Sequence, residues 1–213
     1  MNLLFYDTET TGLPIWGDPS EAPHQPHIVQ LAGKVIDTDT RAVIAQVDTI
    51  IKPDGWTIPE DTVAVHGITT ERAMDEGIPE AAAVSMLLDL WRPTPEQILR
   101  RVAHNESFDA RILRIALKRF YADDAVLHTI WKGGDALCTA RMSAPIVNMP
   151  ATTAMKKSGR GSWAKTPKLP EAYRFFFGTD FEGAHTAMGD VNACMAVYWA
   201  IKEREAAAQQ QAA

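Results

Sequence analysis

The sequence predicts one mixed α/β domain. Strand-like apolar runs come first and are then interleaved with helix-like ones, the order of a mixed sheet flanked by helices. A length of 213 residues suits a single domain with a sizeable core. Hydrophobic residues make up 46% and charged residues 23%, the balance of an ordinary globular protein. The domain is read as residues 1–207, with an excursion at about 148–168 and a low-complexity tail at 208–213.

Asn2 to Thr8 is short and apolar and precedes the turn signal Thr10-Thr11-Gly12-Leu13-Pro14, so it reads as a strand. Pro14 to His27 is rich in Pro, Gly and polar residues and reads as a loop. Ile28 to Asp37 and Ala42 to Ile51 are two further strands, and the short polar link between them predicts a hairpin. Thr57 to Gly77 reads as turns with short helical pieces. Pro79 starts a helix to about Trp91, with Val84, Leu87, Leu88 and Trp91 at helical spacing. Ile98 to Ala103 is a fourth strand, turned by His104-Asn105-Glu106-Ser107 into a helix from about Phe108 to Phe120. Ala136 to Arg141 reads as a short strand or turn. Leu169 to Phe177 is a helix stopped by Gly178. Thr186 to about Ala207 is the last helix, and the Ala/Gln tail after it is expected to fray.

The net charge of −6 argues against a general nucleic-acid coat protein but not against an enzyme that meets polyanions through metal ions. No apolar run reaches the ~18 residues of a membrane span, and the N-terminus lacks a basic leader. Two cysteines, Cys138 and Cys194, make neither a disulfide framework nor a zinc motif, which points to a reducing, cytoplasmic setting.

Asp7 and Glu9 lie two apart at a strand end, so both side chains leave the same face, roughly 7 Å apart at the backbone. Two converging carboxylates repel unless a cation sits between them, and hard oxygen ligands select magnesium or manganese. Alone, the pair fits a solvated acidic turn equally well. Asp109 follows a strand-to-helix junction; alone, it fits a first-turn acid that complements the helix dipole. His185 and Asp190 open the last helix, with small or apolar neighbours around Asp190. A histidine there is more often structural, whereas a buried acid needs a partner or a metal. Each bland reading holds singly; all four at once is much harder to sustain.

Three ordered motifs resemble those of the DEDDh branch of the DnaQ-like 3′–5′ exonucleases. They are Phe5-Tyr6-Asp7-Thr8-Glu9-Thr10-Thr11-Gly12-Leu13, Ala103-His104-Asn105-Glu106-Ser107-Phe108-Asp109, and His185-Thr186-Ala187-Met188-Gly189-Asp190-Val191. Val65-His66-Gly67-Ile68-Thr69 and Lys168-Leu169 leading to Phe177-Gly178 add weaker matches. The resemblance implies an RNase H-like fold and hydrolysis from a 3′ end that releases nucleoside 5′-monophosphates. It implies two divalent cations, Mg2+ with Mn2+ as the alternative. Asp7, Glu9 and Asp190 would hold the first, Asp7 and Asp109 the second, with Asp109 acting through water. His185 would be the general base. Thr10, Thr11, Leu13, Val65, His66 and Phe108 would line the pocket for the terminal nucleotide. Single-stranded DNA is the favoured substrate and RNA the alternative, with a DNA polymerase or other replication protein as a candidate partner. A binding module that does not cut is the reading from another class.

Two segments depart from a minimal family member. The Pro14–His27 loop is longer than a tight turn needs. The stretch from Cys138 to Lys168 is longer and more basic than such a member needs, and between Ala151 and Pro170 lie Lys156, Lys157, Arg160, Lys165 and Lys168 and no acid. Contact of Lys156, Lys157, Arg160 and Lys165 with a substrate backbone is expected, against the alternative of a solvated loop.

Overall fold

A computed structural model describes residues 1–92, 94 and 97–212. Ala213, the end of the expected tail, lies outside the described residues. Three long strands come first: β1 (Asn2–Thr10), β2 (Ile28–Asp37) and β3 (Val43–Lys52). Short helices α1 (Glu60–His66) and α2 (Thr70–Glu76) lead into the two-residue β4 (Ile78–Pro79) and then α3 (Glu80–Trp91). After β5 (Arg100–Ala103) come α4 (Ser107–Phe120), α5 (Ala125–Gly133), β6 (Ala136–Cys138) and α6 (Thr139–Val147). The chain ends with α7 (Thr153–Lys157), α8 (Leu169–Phe177) and α9 (Ala187–Ala212).

The strands form one six-stranded sheet in the order β4-β3-β2-β1-β5-β6. β1 pairs antiparallel with β2 and parallel with β5, so it is central and buried on both faces. Its alternation sorts the two layers. Leu4 and Tyr6 pack with residues of α3, α4 and α5; Leu3 and Phe5 pack on the other face with Ala187, Val191, Cys194 and Tyr198 of α9. By the same alternation Asp7 and Glu9 continue the α9 face, and Thr8 and Thr10 the α4 face. That is what sends one set of acids to meet α9 and leaves the other contact to α4.

Several elements differ from expectation. The stretch expected as a strand or turn from Ala136 to Arg141 is a three-residue strand followed at once by a helix, which carries Pro145 inside it. α5 went unread, although Asp124 caps it by accepting the Leu127 N–H at 2.8 Å. α9 continues through the expected fraying tail to Ala212, because Ala and Gln are good helix formers. The Pro14–His27 segment is irregular, as expected, but ordered by buried polar contacts described below. Among the described residues no helix is long and apolar enough to cross a membrane. Both cysteines are free.

Candidate active site

Ligand atoms of Asp7, Glu9 and Asp190 all lie within 4.8 Å of one another. β1 supplies the first two on one face, and α9 brings Asp190 onto that face. The start of α9 is held in place from β2: Gln30 Oε1 accepts the Ala187 N–H at 3.1 Å, and Lys34 Nζ donates to Asn192 at 2.6 Å. Thr186 caps the helix, accepting the Gly189 N–H at 3.1 Å while its hydroxyl donates to the Gly183 carbonyl at 2.7 Å. The turn presses so closely on the helix that a Cβ on Gly189 would fall 2.0 Å from the Gly183 oxygen. Only glycine fits there. The tight turn leaves His185 exposed beside Asp190, with left-handed backbone (φ 64).

Asp109 sits apart from that cluster. It is 2% exposed in the first turn of α4, and its Oδ1 accepts both the Thr8 N–H (3.0 Å) and the Thr8 hydroxyl (2.8 Å). It is thereby fixed to the backbone between Asp7 and Glu9. The fourth carboxylate is brought to the site by the strand's α4-facing residue, not by convergence with the other three.

Burial and mutual repulsion push these acids toward their neutral forms. Asp7 is raised well above the usual carboxylate range by burial and by the charges of Asp109, Asp190 and Glu9. Burial, then Asp190, lifts Glu9 to about 7. Burial lifts Asp109 to about 8 against the opposing Thr8 hydrogen bonds. Asp190 rises to about 6 through burial, opposed by a backbone hydrogen bond from His185 and by the nearby imidazole. Asp190 Oδ1 is also buried without a hydrogen-bond partner. Clustered hard oxygens, crowded negative charge and an orphaned acceptor fit a divalent cation such as magnesium or manganese.

Beside the acids opens a cavity of about 360 Å³, formed by β1, the turn after it, α1 and α4. Of the residues expected to line it, Thr10, Leu13, Val65, His66 and Phe108 do. Thr11 does not. Its N–H donates to the His27 carbonyl and its hydroxyl accepts the His27 N–H, both at 3.0 Å, so it closes the loop onto β2. Gly12, Asp61 and Thr62 line the cavity without having been expected. Thr62, Val65 and His66 are spaced to share one face of α1, so the helical period starting from Val65 was the signal available. His66 Nδ1 accepts the Ile68 N–H at 3.1 Å, so Nε2 carries the proton of the neutral ring, buried without a hydrogen-bond partner among the described residues.

Behind the acids, His104 is held neutral, its pKa lowered to about 4 mainly by burial. Nε2–H donates to the Pro167 carbonyl (3.0 Å), and Nδ1 accepts from the Thr139 hydroxyl (2.9 Å). Thr139 in turn contacts Cys194 Sγ at 3.3 Å, a thiol that feels the charges of Asp7 and Asp109. This chain of contacts ties the end of the basic excursion to the back of the acidic cluster.

The exonuclease family model matches residues 4–198, which span all five candidate catalytic residues. No curated protein matches the chain. Among solved structures the chain is similar to Escherichia coli exonuclease I. The complex with a dT13 oligonucleotide gives a TM-score of 0.71 at 21% identity, covering 99% of this chain and 43% of that one. The zinc-bound complex with single-stranded DNA gives 0.69 at 21% identity, covering 95% and 40%. A moderately thermophilic exonuclease I from Methylocaldum szegediense gives 0.70 at 23%, covering 95% and 40%. The chain therefore spans well under half the length of these proteins, and it shares their fold. With the family model covering nearly the whole chain, the protein belongs to the exonuclease family, in its DnaQ-like form on an RNase H-like fold.

Proposed function

We propose that this chain is a metal-dependent 3′–5′ exonuclease that removes nucleotides one at a time from single-stranded DNA. The observation that carries the reading is the Asp7–Glu9–Asp190 cluster at the edge of a nucleotide-sized cavity. Single-stranded DNA as substrate is suggested by the similar exonuclease I complexes with DNA oligonucleotides. An RNA-trimming enzyme of the same family is the alternative. A DNA polymerase or other replication protein is the partner if the enzyme proofreads, and a cytoplasmic location goes with this reading.

Asp7, Glu9 and Asp190 would hold one cation, and Asp7 with Asp109 a second. Bound there, the cations supply Lewis-acid stabilisation of both the attacking and leaving oxygens and acidify a water. His185, exposed at the lip of the cluster, takes the proton from the attacking water. The water oxygen bonds to the terminal phosphorus as the bond to the preceding 3′-oxygen breaks. A nucleoside 5′-monophosphate leaves, and the departing 3′-oxygen takes a proton from solvent to become the strand's new 3′-hydroxyl, while His185 returns its proton to solvent. Leu13, Val65 and Phe108 offer apolar surface to the terminal nucleoside, and Thr10 and His66 set the depth of the pocket. The test is product analysis. A 5′-labelled dT oligomer with Mg2+ should give a ladder shortening from the 3′ end and free dTMP, abolished by EDTA. Immediate release of the labelled 5′ nucleotide, or no product, would sink the reading. A matched RNA oligomer decides the sugar.

The basic excursion is assigned the ionic grip on the strand. Lys156, Lys157 and Arg160 are exposed, whereas Lys165 is bound by Glu171 at 2.5 and 2.7 Å and is removed from that role. The segment is closed by the Lys165 N–H bonding Met149 O (3.0 Å) and by His104 on Pro167. Replacing Lys156, Lys157 and Arg160 by serine should lower the salt slope of single-stranded DNA binding by about 2, at ~0.7 per phosphate contact. An unchanged slope in a titration from low to high salt would assign these residues to a solvated surface.

A further inference from the structure

The loop after the first motif is built to present apolar side chains to solvent. Leu13 is 80% exposed, Ile15 47% and Trp16 58%. The backbone beneath them is fixed by two buried polar side chains. Gln25, 2% exposed, accepts the Ile15 N–H at 3.1 Å and donates to the Ile15 and Pro19 carbonyls at 3.0 and 3.1 Å. Arg111, 8% exposed, donates to the Asp18 carbonyl at 2.5 Å and to the Ser20 hydroxyl at 2.7 Å. Arg111 stands on α4, the helix that also carries Phe108 of the cavity and Asp109. The loop is thus tied rigidly to the site. Exposed apolar side chains on an ordered surface mark contact with a partner or ligand.

We propose that Trp16, with Ile15 beside it, is a base-stacking platform outside the cavity that takes the base preceding the terminal nucleotide of a single strand. The inference rests on the exonuclease reading. Two features select a base as occupant. The platform lies close to the cavity: Leu13 lines it, and three residues of chain place Trp16 no more than ~11 Å from Leu13. Residues 14–27 also contain Asp18 and Glu21 and no lysine or arginine, which disfavours phosphate and leaves the uncharged π-face for a base. Strand grip then divides between an ionic contribution from the basic excursion and an apolar one from this loop.

Trp16→Ala and Trp16→Phe separate this role from others, and an exposed tryptophan can be changed without emptying the core. The p-nitrophenyl ester of thymidine 5′-monophosphate occupies only the terminal site; dT8 reaches the platform. Trp16→Ala should hydrolyse the ester within twofold of wild type and raise KM for dT8 about tenfold with kcat nearly unchanged. Trp16→Phe should restore KM to within a few-fold. The loss should be equal at low and high salt, unlike that of the serine variants of the basic excursion. Anisotropy of dye-labelled dT8 reads the same loss without turnover. Equal losses on ester and dT8, or none on dT8, would overturn the platform. So would a changed sedimentation coefficient with KM unchanged, which would make the patch a contact between copies. Wild-type protein that binds dT8 through Trp16 but hydrolyses nothing would support the platform and sink the exonuclease reading.

Discussion

Asp7→Asn should lower kcat at least ~10³-fold and at the same time make the metal-free protein more stable at pH 8. Asp7 is the carboxylate the other three crowd: its pKa is raised by burial and by Asp109, Asp190 and Glu9 together. An amide keeps its shape and removes its charge. The sign of the stability effect follows from the direction of these shifts. All four carboxyls bind protons more tightly in the folded chain than in the unfolded one, with Glu9, Asp109 and Asp190 at about 7, 8 and 6. Between the ordinary carboxylate range near 4 and about pH 8 the native state therefore holds more protons, and stability falls as pH rises. Metal-free wild type should be more stable at pH 5 than at pH 8, with added Mg2+ closing much of the gap. In Asp7→Asn the pH dependence should flatten, with a gain at pH 8 of about 1–2 kcal/mol, or about 2–8 °C in Tm. Thermal unfolding at both pH values with and without Mg2+ checks it. A variant less stable than wild type at pH 8 would show that Asp7 is held by favourable contacts rather than by a cation.

The parts of this site that were legible in the sequence are those that depend on period and order. Two-residue spacing put Asp7 and Glu9 on one face of β1, and the ordered motifs put Asp190 at the start of the last helix. What could not be read is which face each neighbour takes. Thr8, between the two acids, looks like spacing in the motif; in the fold it is the donor pair that fixes Asp109. Thr11 belongs to the same run as Thr10 and Leu13 yet turns away to His27, because the loop has to be closed onto β2. Gln25 and Arg111 gave no periodic signal at all. Their meaning lies in backbone carbonyls six and ten residues away for Gln25 and 93 away for Arg111, a pairing that only the folded loop defines. α6 was obscured by its own proline, and α5 went unread because local propensity is weak where tertiary packing decides.

His185→Gly should lower kcat about 10²–10⁴-fold, leave KM and Tm close to wild type, and regain part of the lost rate when imidazole is added. Glycine is the informative substitution because of the backbone. His185 is held in the left-handed region by the Gly183–Thr186 turn, and an alanine there would add strain that confounds the loss of the base. Glycine takes that conformation freely and leaves an open place at an exposed position, which free imidazole can enter. A structural role predicts a different pattern. If the side chain only completed the turn, Tm would fall, kcat and KM would move together, and imidazole would restore nothing. Activity within a few-fold of wild type would remove His185 from the chemistry and transfer the proton to another acceptor. Glu9, lifted to about 7 by burial and by Asp190, is a group in the cluster with suitable proton affinity.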